Sequence, residues 1–121
     1  MRKPVTWLGD SLDAVRGFPE LARNRIGRQI ARVQDGLEPD DCKPMPSVGL
    51  GVNEIRVQAE GAYRAIYAAK FVESIYVIHA FQKKAKHGIK TPKHEIALIR
   101  KRLRRAEEHH REWKEGQHGE D

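Results

Sequence analysis

The chain has 121 residues and a formal net charge of +6, from 23 Lys or Arg against 17 Asp or Glu, a size that suits one domain built on one core. Its single cysteine, Cys42, excludes an internal disulfide, and no run is long and apolar enough for a signal peptide or a membrane helix. The expectation is a cytoplasmic protein with no membrane partner, in which Cys42 is a reduced loop thiol.

Val5-Thr6-Trp7-Leu8 is a short β-branched and aromatic run closed by Gly9-Asp10, which predicts a first strand. Ser11 to Phe18 predicts a short helix capped by Asp10 or Ser11. Pro19 then opens a longer helix in which Ala22, Ile26, Ile30, Val33 and Leu37 recur at helical spacing, with Gly36 near its end. Arg25, Arg28 and Arg32 share its opposite face, as a solvated surface or as a contact with RNA.

Pro39, Pro44, Pro46 and the surrounding glycines mark a loop from Gly36 to Gly51. Three strands follow, at Val52 to Gln58, Ala62 to Ala69 and Ser74 to Phe81, the last nearly continuous in apolar residues as a central strand should be. Alternation puts Glu54 with Arg56 on one side of the first of these strands, and His79, Phe81 and Lys83 on one side of the third. Whether Arg56, Arg64 and Lys83 converge depends on strand register. A final helix is predicted from Pro92 to about Arg105 with Thr91 as cap, docking through Ile96, Ile99 and Leu103 and turning Arg100, Lys101, Arg102, Arg104 and Arg105 outward. Residues 106–121 have little apolar content and are expected to form a flexible charged tail after a single domain spanning 1–105.

The positive charge is concentrated. Lys83 to Arg105 holds ten Lys or Arg against one acid, a local charge of +9, while 106–121 carries six acids to two bases, −4. A patch of this kind favours a polyanion, because phosphate affinity comes from local counterion release.

Lys43-Pro44-Met45, Gly49-Leu50-Gly51-Val52-Asn53-Glu54-Ile55-Arg56, Tyr63-Arg64 with Ile66-Tyr67, and the strand end Tyr76-Val77-Ile78-His79-Ala80-Phe81-Gln82-Lys83-Lys84 with Lys90-Thr91-Pro92 occur in one order. Together they resemble the phage-derived, HigB-like branch of the RelE/ParE toxin superfamily, over roughly residues 3–105. The segment Ala85-Lys86-His87-Gly88-Ile89 departs from the usual link, and the acidic, histidine-bearing tail is an addition. The resemblance implies an α+β, RelE-like microbial ribonuclease-type fold, with two N-terminal helices packed on a mostly antiparallel four-stranded sheet and a C-terminal basic helix. It also implies a toxin of a type II toxin–antitoxin system that cleaves mRNA on the ribosome, blocks translation and is neutralised by a cognate antitoxin protein.

RNA can be cut by its own 2′-hydroxyl if a protein deprotonates that hydroxyl, stabilises charge on the phosphate and protonates the 5′-oxygen. Basic side chains suffice, so neither metal nor cofactor is expected. By the resemblance, Arg64 and Lys83 or Lys84 take the phosphate-stabilising positions, supported by Arg56. The alternative for Arg56 and Arg64 is a surface arginine paired with Glu54 or Glu60, and for the lysines a solubilising strand end. His79 is a candidate general base or a hydrogen-bonded core residue, with His94 competing. Phe81 can stack on a base, and Lys86, Lys90, Lys93, Lys101 and Arg105 extend the RNA-binding surface. Two other readings stay open: a ParE-like gyrase inhibitor, and a non-catalytic RNA-binding module.

Overall fold

A computed structural model describes residues 2–83 and 91–118. Its elements run β1 (Val5–Trp7), α1 (Ser11–Arg16), α2 (Glu20–Gln34), β2 (Cys42–Pro44), β3 (Val52–Gln58), β4 (Ala62–Ala68), β5 (Ile75–Lys83) and α3 (Lys93–His118). The strands form one mixed sheet in the order β1-β5-β4-β3-β2, with β1 parallel to β5 and the other pairs antiparallel. The chain is therefore α+β with five strands, where four were expected. The added strand is β2, three residues inside the proline-rich loop, paired to β3 through Cys42↔Ile55 and Lys43↔Glu54. Its proline falls at the end of an edge strand, where a missing N–H costs no ladder bond.

The sheet is covered on both sides. Ala22, Ile26, Ile30 and Val33 of α2 and Val15 of α1 bury against Ile55, Val57, Tyr63, Ala65 and Val77 on one face. On the other, Ile99, Leu103 and Ala106 of α3 close on Val52, Ile66, Tyr76 and Ile78. Each fully buried Val, Ile or Leu in these layers is worth roughly 1.5–3 kcal/mol of transfer free energy. Leu37, expected in the α2 stripe, is 52% exposed. The helix stops at Gln34, because Gly36 turns to φ 81° and Leu37 N–H returns to the Arg32 carbonyl at 2.9 Å.

The last helix does not end near Arg105. It continues to His118, since Glu107, Glu108, Arg111, Glu112, Lys114 and Glu115 are good helix formers whatever their polarity. Its first extra turns are also tied down. Ala106 is fully buried, Tyr76 Oη shares a 2.7 Å hydrogen bond with His109 Nδ1, and His110 Nδ1 lies 2.7 Å from Glu73. Among the described residues, no helix is long and apolar enough to cross a membrane.

One irregularity decides what β5 presents. Ile66 is opposite His79 but Tyr67 is opposite Val77, so Ile78 is an extra residue in a β-bulge. Tyr76 and Ile78 lie on the α3 side while Ala80 lies on the α2 side. Strict alternation from Tyr76 would have sent His79, Phe81 and Lys83 to the α2 face. The bulge turns them to the face that carries Arg64.

Candidate active site

On the α3 side of the sheet, beyond the apolar cover of that helix, β3, β4 and β5 put their charged residues in adjoining rows. The register is Arg56↔Arg64↔Phe81, with Lys83 opposite Ala62 and Lys43 of β2 opposite Glu54. Arg56, Arg64 and Lys83 thus do converge. Like charges placed directly opposite on neighbouring strands are unfavourable, and here Arg56 faces Arg64 with Lys83 beside them, offset among the described residues by Glu54 and, more weakly, by Asp41. Such a density of cations does not serve folding. It suits an anionic ligand.

Arg64 is buried, with its side chain 9% exposed and Nε 3.6 Å from Glu54 Oε1. Its Nη1 donates to the Tyr63 carbonyl at 3.0 Å, whereas Nε has no acceptor within hydrogen-bond range among the described residues. Burial lowers the affinity of this guanidinium for its proton and Glu54 partly restores it; an arginine stays charged regardless. Lys83 is pushed below the ordinary lysine range by lost hydration first and by Arg64 second, with Glu54 opposing and Arg56 and Lys43 adding to the shift. The pairing of Arg64 with Glu54 therefore occurs, but as a buried contact rather than a surface one.

Glu54 was not among the site residues expected from the sequence. Its place two residues before Arg56 on a strand was the available signal, since alternation puts both on one face. The carboxylate also accepts a 3.2 Å hydrogen bond from Thr91 Oγ1, which ties the start of α3 to the cluster. Beside it opens a cleft of about 450 Å³, lined by Lys43, Pro44, Met45, Glu54, Thr91 and Ile96 among others.

His79 is on the same face but differently engaged. Its Nδ1 lies 3.1 Å from Arg102 Nη1, a donor, so Nδ1 accepts, and Nε2–H is directed at Glu95. Arg102 also donates to the Ile78 carbonyl at 3.1 Å and to Asp10 at 2.6 Å, holding the Asp10 carboxyl below its usual range. Gly9 makes this reach possible: at φ 53°, a Cβ there would sit 2.6 Å from the Arg102 guanidinium. Phe81 stacks on His79 with ring centroids 5.3 Å apart. His94 is exposed and 3.1 Å from Glu95.

Lys93, Lys101 and Arg105 occupy the exposed surface of α3, with Arg105 3.4 Å from Glu108, and are not part of the cluster. Lys84, Lys86 and Lys90 lie outside the described residues.

A family model described as phage derived protein Gp49-like (DUF891) matches residues 13–104, from within α1 to the second half of the apolar stripe of α3. The chain belongs to this family. Gp49-like proteins are part of the RelE-toxin-like, Gp49/HigB-type group. The matched span contains Lys43, Glu54, Arg56, Arg64 and Lys83, so the whole cationic cluster is built from the Gp49-like portion, whereas the helical extension beyond Arg104 falls outside it. No curated protein and no solved structure gives a significant match.

Proposed function

We propose that this Gp49-like protein is the toxin of a type II toxin–antitoxin pair and acts as an endoribonuclease on mRNA, with the translating ribosome as its setting. The observation that carries the reading is the buried Arg64, whose Nε–H lacks an acceptor among the described residues while Arg56, Lys83 and Lys43 crowd the same face. A buried donor left unmet is uncommon in a native structure and calls for a partner. A phosphodiester oxygen supplies one.

In this mechanism Arg64 and Arg56 hold the scissile phosphate and meet the charge that grows on it. Lys83, whose lowered proton affinity gives it more of the neutral amine at physiological pH than an ordinary lysine has, takes the proton from the 2′-hydroxyl. The 2′-oxygen then bonds to phosphorus, the bond from phosphorus to the 5′-oxygen breaks, and a second ammonium, assigned to Lys84, protonates that oxygen. The products are a 2′,3′-cyclic phosphate and a 5′-hydroxyl. His79 holds α3 through Glu95 and Arg102 rather than moving protons, because both its nitrogens are already engaged. The concentrated positive charge also suits an antitoxin with an acidic docking surface.

The test is end-group analysis of mRNA incubated with the purified protein, with and without programmed ribosomes. Cyclic phosphate and 5′-hydroxyl ends inside the coding region are expected. Intact RNA combined with blocked DNA supercoiling would instead support the gyrase-inhibitor reading, and RNA binding without new ends the non-catalytic one.

A further inference from the structure

We propose that the cleft beside Glu54 is a guanine-binding pocket that selects the nucleotide cut by the protein, an inference that rests on the ribonuclease reading. Lys43 and Glu54 are cross-strand partners on β2 and β3, both lining the cleft, yet no ion pair joins them among the described residues. A donor and an acceptor are thus offered separately into one cavity of about 450 Å³, within the range of small-ligand pockets. Met45, Pro44 and Ile96 supply apolar walls for the faces of a flat ring.

The carboxylate is itself nine-tenths buried, its side chain being 10% exposed. Oε1 lies 3.6 Å from Arg64 Nε, too far for a hydrogen bond, and Oε2 accepts only from Thr91 among the described residues. Acceptor capacity is left over on both oxygens. Among the four bases, guanine alone presents two adjacent N–H donors, N1–H and N2–H, which match a carboxylate in a fork. Its O6 and N7 are acceptors that a lysine recognises. Adenine would turn an unprotonated N1 toward the carboxylate, and the pyrimidines offer a single donor group.

Glu54 also places the pocket relative to the reacting phosphate. Its Oε1 meets the Arg64 guanidinium at 3.6 Å, and its Oε2 accepts from Thr91, which lines the cleft with it. A phosphate held by Arg64 is therefore one side chain away from the base pocket, the reach of a single nucleotide.

The probe is a set of short single-stranded RNA oligonucleotides with guanine, inosine, adenine or no base at one position, carrying 2′-deoxyribose there so that no cut occurs. Fluorescence anisotropy should show guanine bound roughly tenfold or more tightly than adenine, with inosine, which lacks N2–H, between them. Ile96→Trp, which fills the cleft while leaving Arg56, Arg64 and Lys83 in place, should bring the guanine oligonucleotide to the affinity of the abasic one, and Lys43→Met should reduce the guanine preference; melting curves confirm that each variant is folded. Equal binding of guanine, adenine and abasic probes, a preference for another base, or no RNA binding at all overturns the proposal. The two readings separate on the all-ribose versions of the probes. Guanine preference with no cutting, either of the free probes or of the same sequences on programmed ribosomes, defeats the ribonuclease reading and keeps the pocket as a guanine-binding site, whereas cutting without base preference does the reverse.

Discussion

Arg64 Nε and Glu54 Oε1 face each other at 3.6 Å with both side chains about nine-tenths buried. A contact at that distance is an electrostatic one without a hydrogen bond, so the pair holds charge in place while leaving, among the described residues, a donor and acceptor capacity unused. The first prediction follows from burial. Arg64→Ala should abolish cleavage and also destabilise the protein by about 3 kcal/mol, because it strands a buried carboxylate. Arg64→Lys keeps the charge but loses the planar fork; it should fold with a smaller loss of stability and still cut at least ~10²-fold more slowly. Single-turnover cleavage beside thermal melting checks both. A fast Arg64→Lys enzyme would move the phosphate site elsewhere on the sheet.

Lys83 is held below the ordinary lysine range by its surroundings. A lysine whose proton affinity is lowered on folding binds fewer protons in the folded state, so it costs stability at neutral pH. That cost is relieved as pH rises through the interval between the folded and unfolded values. Lys83→Met should therefore melt at a slightly higher temperature than the parent at pH 7, with the advantage shrinking as pH rises towards the unfolded-state value, about 10.4, while cleavage is lost. A lower melting temperature at pH 7 would mean that the ammonium is stabilised by its neighbours.

How much of this was legible beforehand is clearest on β5. The residues that share a face, His79, Phe81 and Lys83, follow from alternation alone, and so does Glu54 with Arg56. Which face they share does not, because the bulge at Ile78 moves them across the sheet relative to Tyr76, and a bulge leaves no mark in a run of uniformly apolar residues. The strand β2 was hidden for a different reason. Three residues among prolines carry no periodicity, and only pairing with β3 makes them a strand. The continuation of α3 was obscured by its low apolar content, whereas helix propensity and contacts from Ala106, His109 and His110 sustain it.

Those contacts alter what truncation should do. Ending the chain after Arg105 removes the buried Ala106 and the hydrogen bonds of His109 to Tyr76 and His110 to Glu73. A loss of about 2–3 kcal/mol is expected from one buried methyl and two partly buried polar contacts. Ending it after Arg111 keeps all three and should cost under about 0.5 kcal/mol. Urea titration of the two truncations distinguishes them; equal stability of both would show that the extension only rests on the surface.

Glu73 supplies an acid-side test of the same region. Burial works against its ionisation, but hydrogen bonds from Tyr76, the backbone and His110 outweigh that and hold it below the usual carboxylate range. A depressed carboxyl contributes stability that is present above the unfolded-state value, about 4.3 for glutamate, and lost as pH falls through the folded value. Glu73→Gln should be less stable than the parent at pH 7, and the difference should close as pH falls below the unfolded-state value and through the lower folded one. A difference that persists unchanged at pH 3 would assign the effect to packing.

His79 gives the sharpest choice between a chemical and a positioning role. With Nδ1 accepting from Arg102 and Nε2 directed at Glu95, it joins β5 to α3 and through Arg102 to Asp10 at the start of α1. Replacing it with Gln leaves one acceptor and one donor of similar reach, so part of that join survives. Cleavage by His79→Gln should fall by less than tenfold and keep the parent's pH–rate profile, whereas loss of a general base costs roughly 10²–10⁴-fold and removes the limb that it produces. His79→Ala, which abandons both hydrogen bonds, should melt well below the parent, since Arg102 and Glu95 each lose a partner at the sheet surface. A pH–rate profile that flattens in the Gln variant would return His79 to the chemistry.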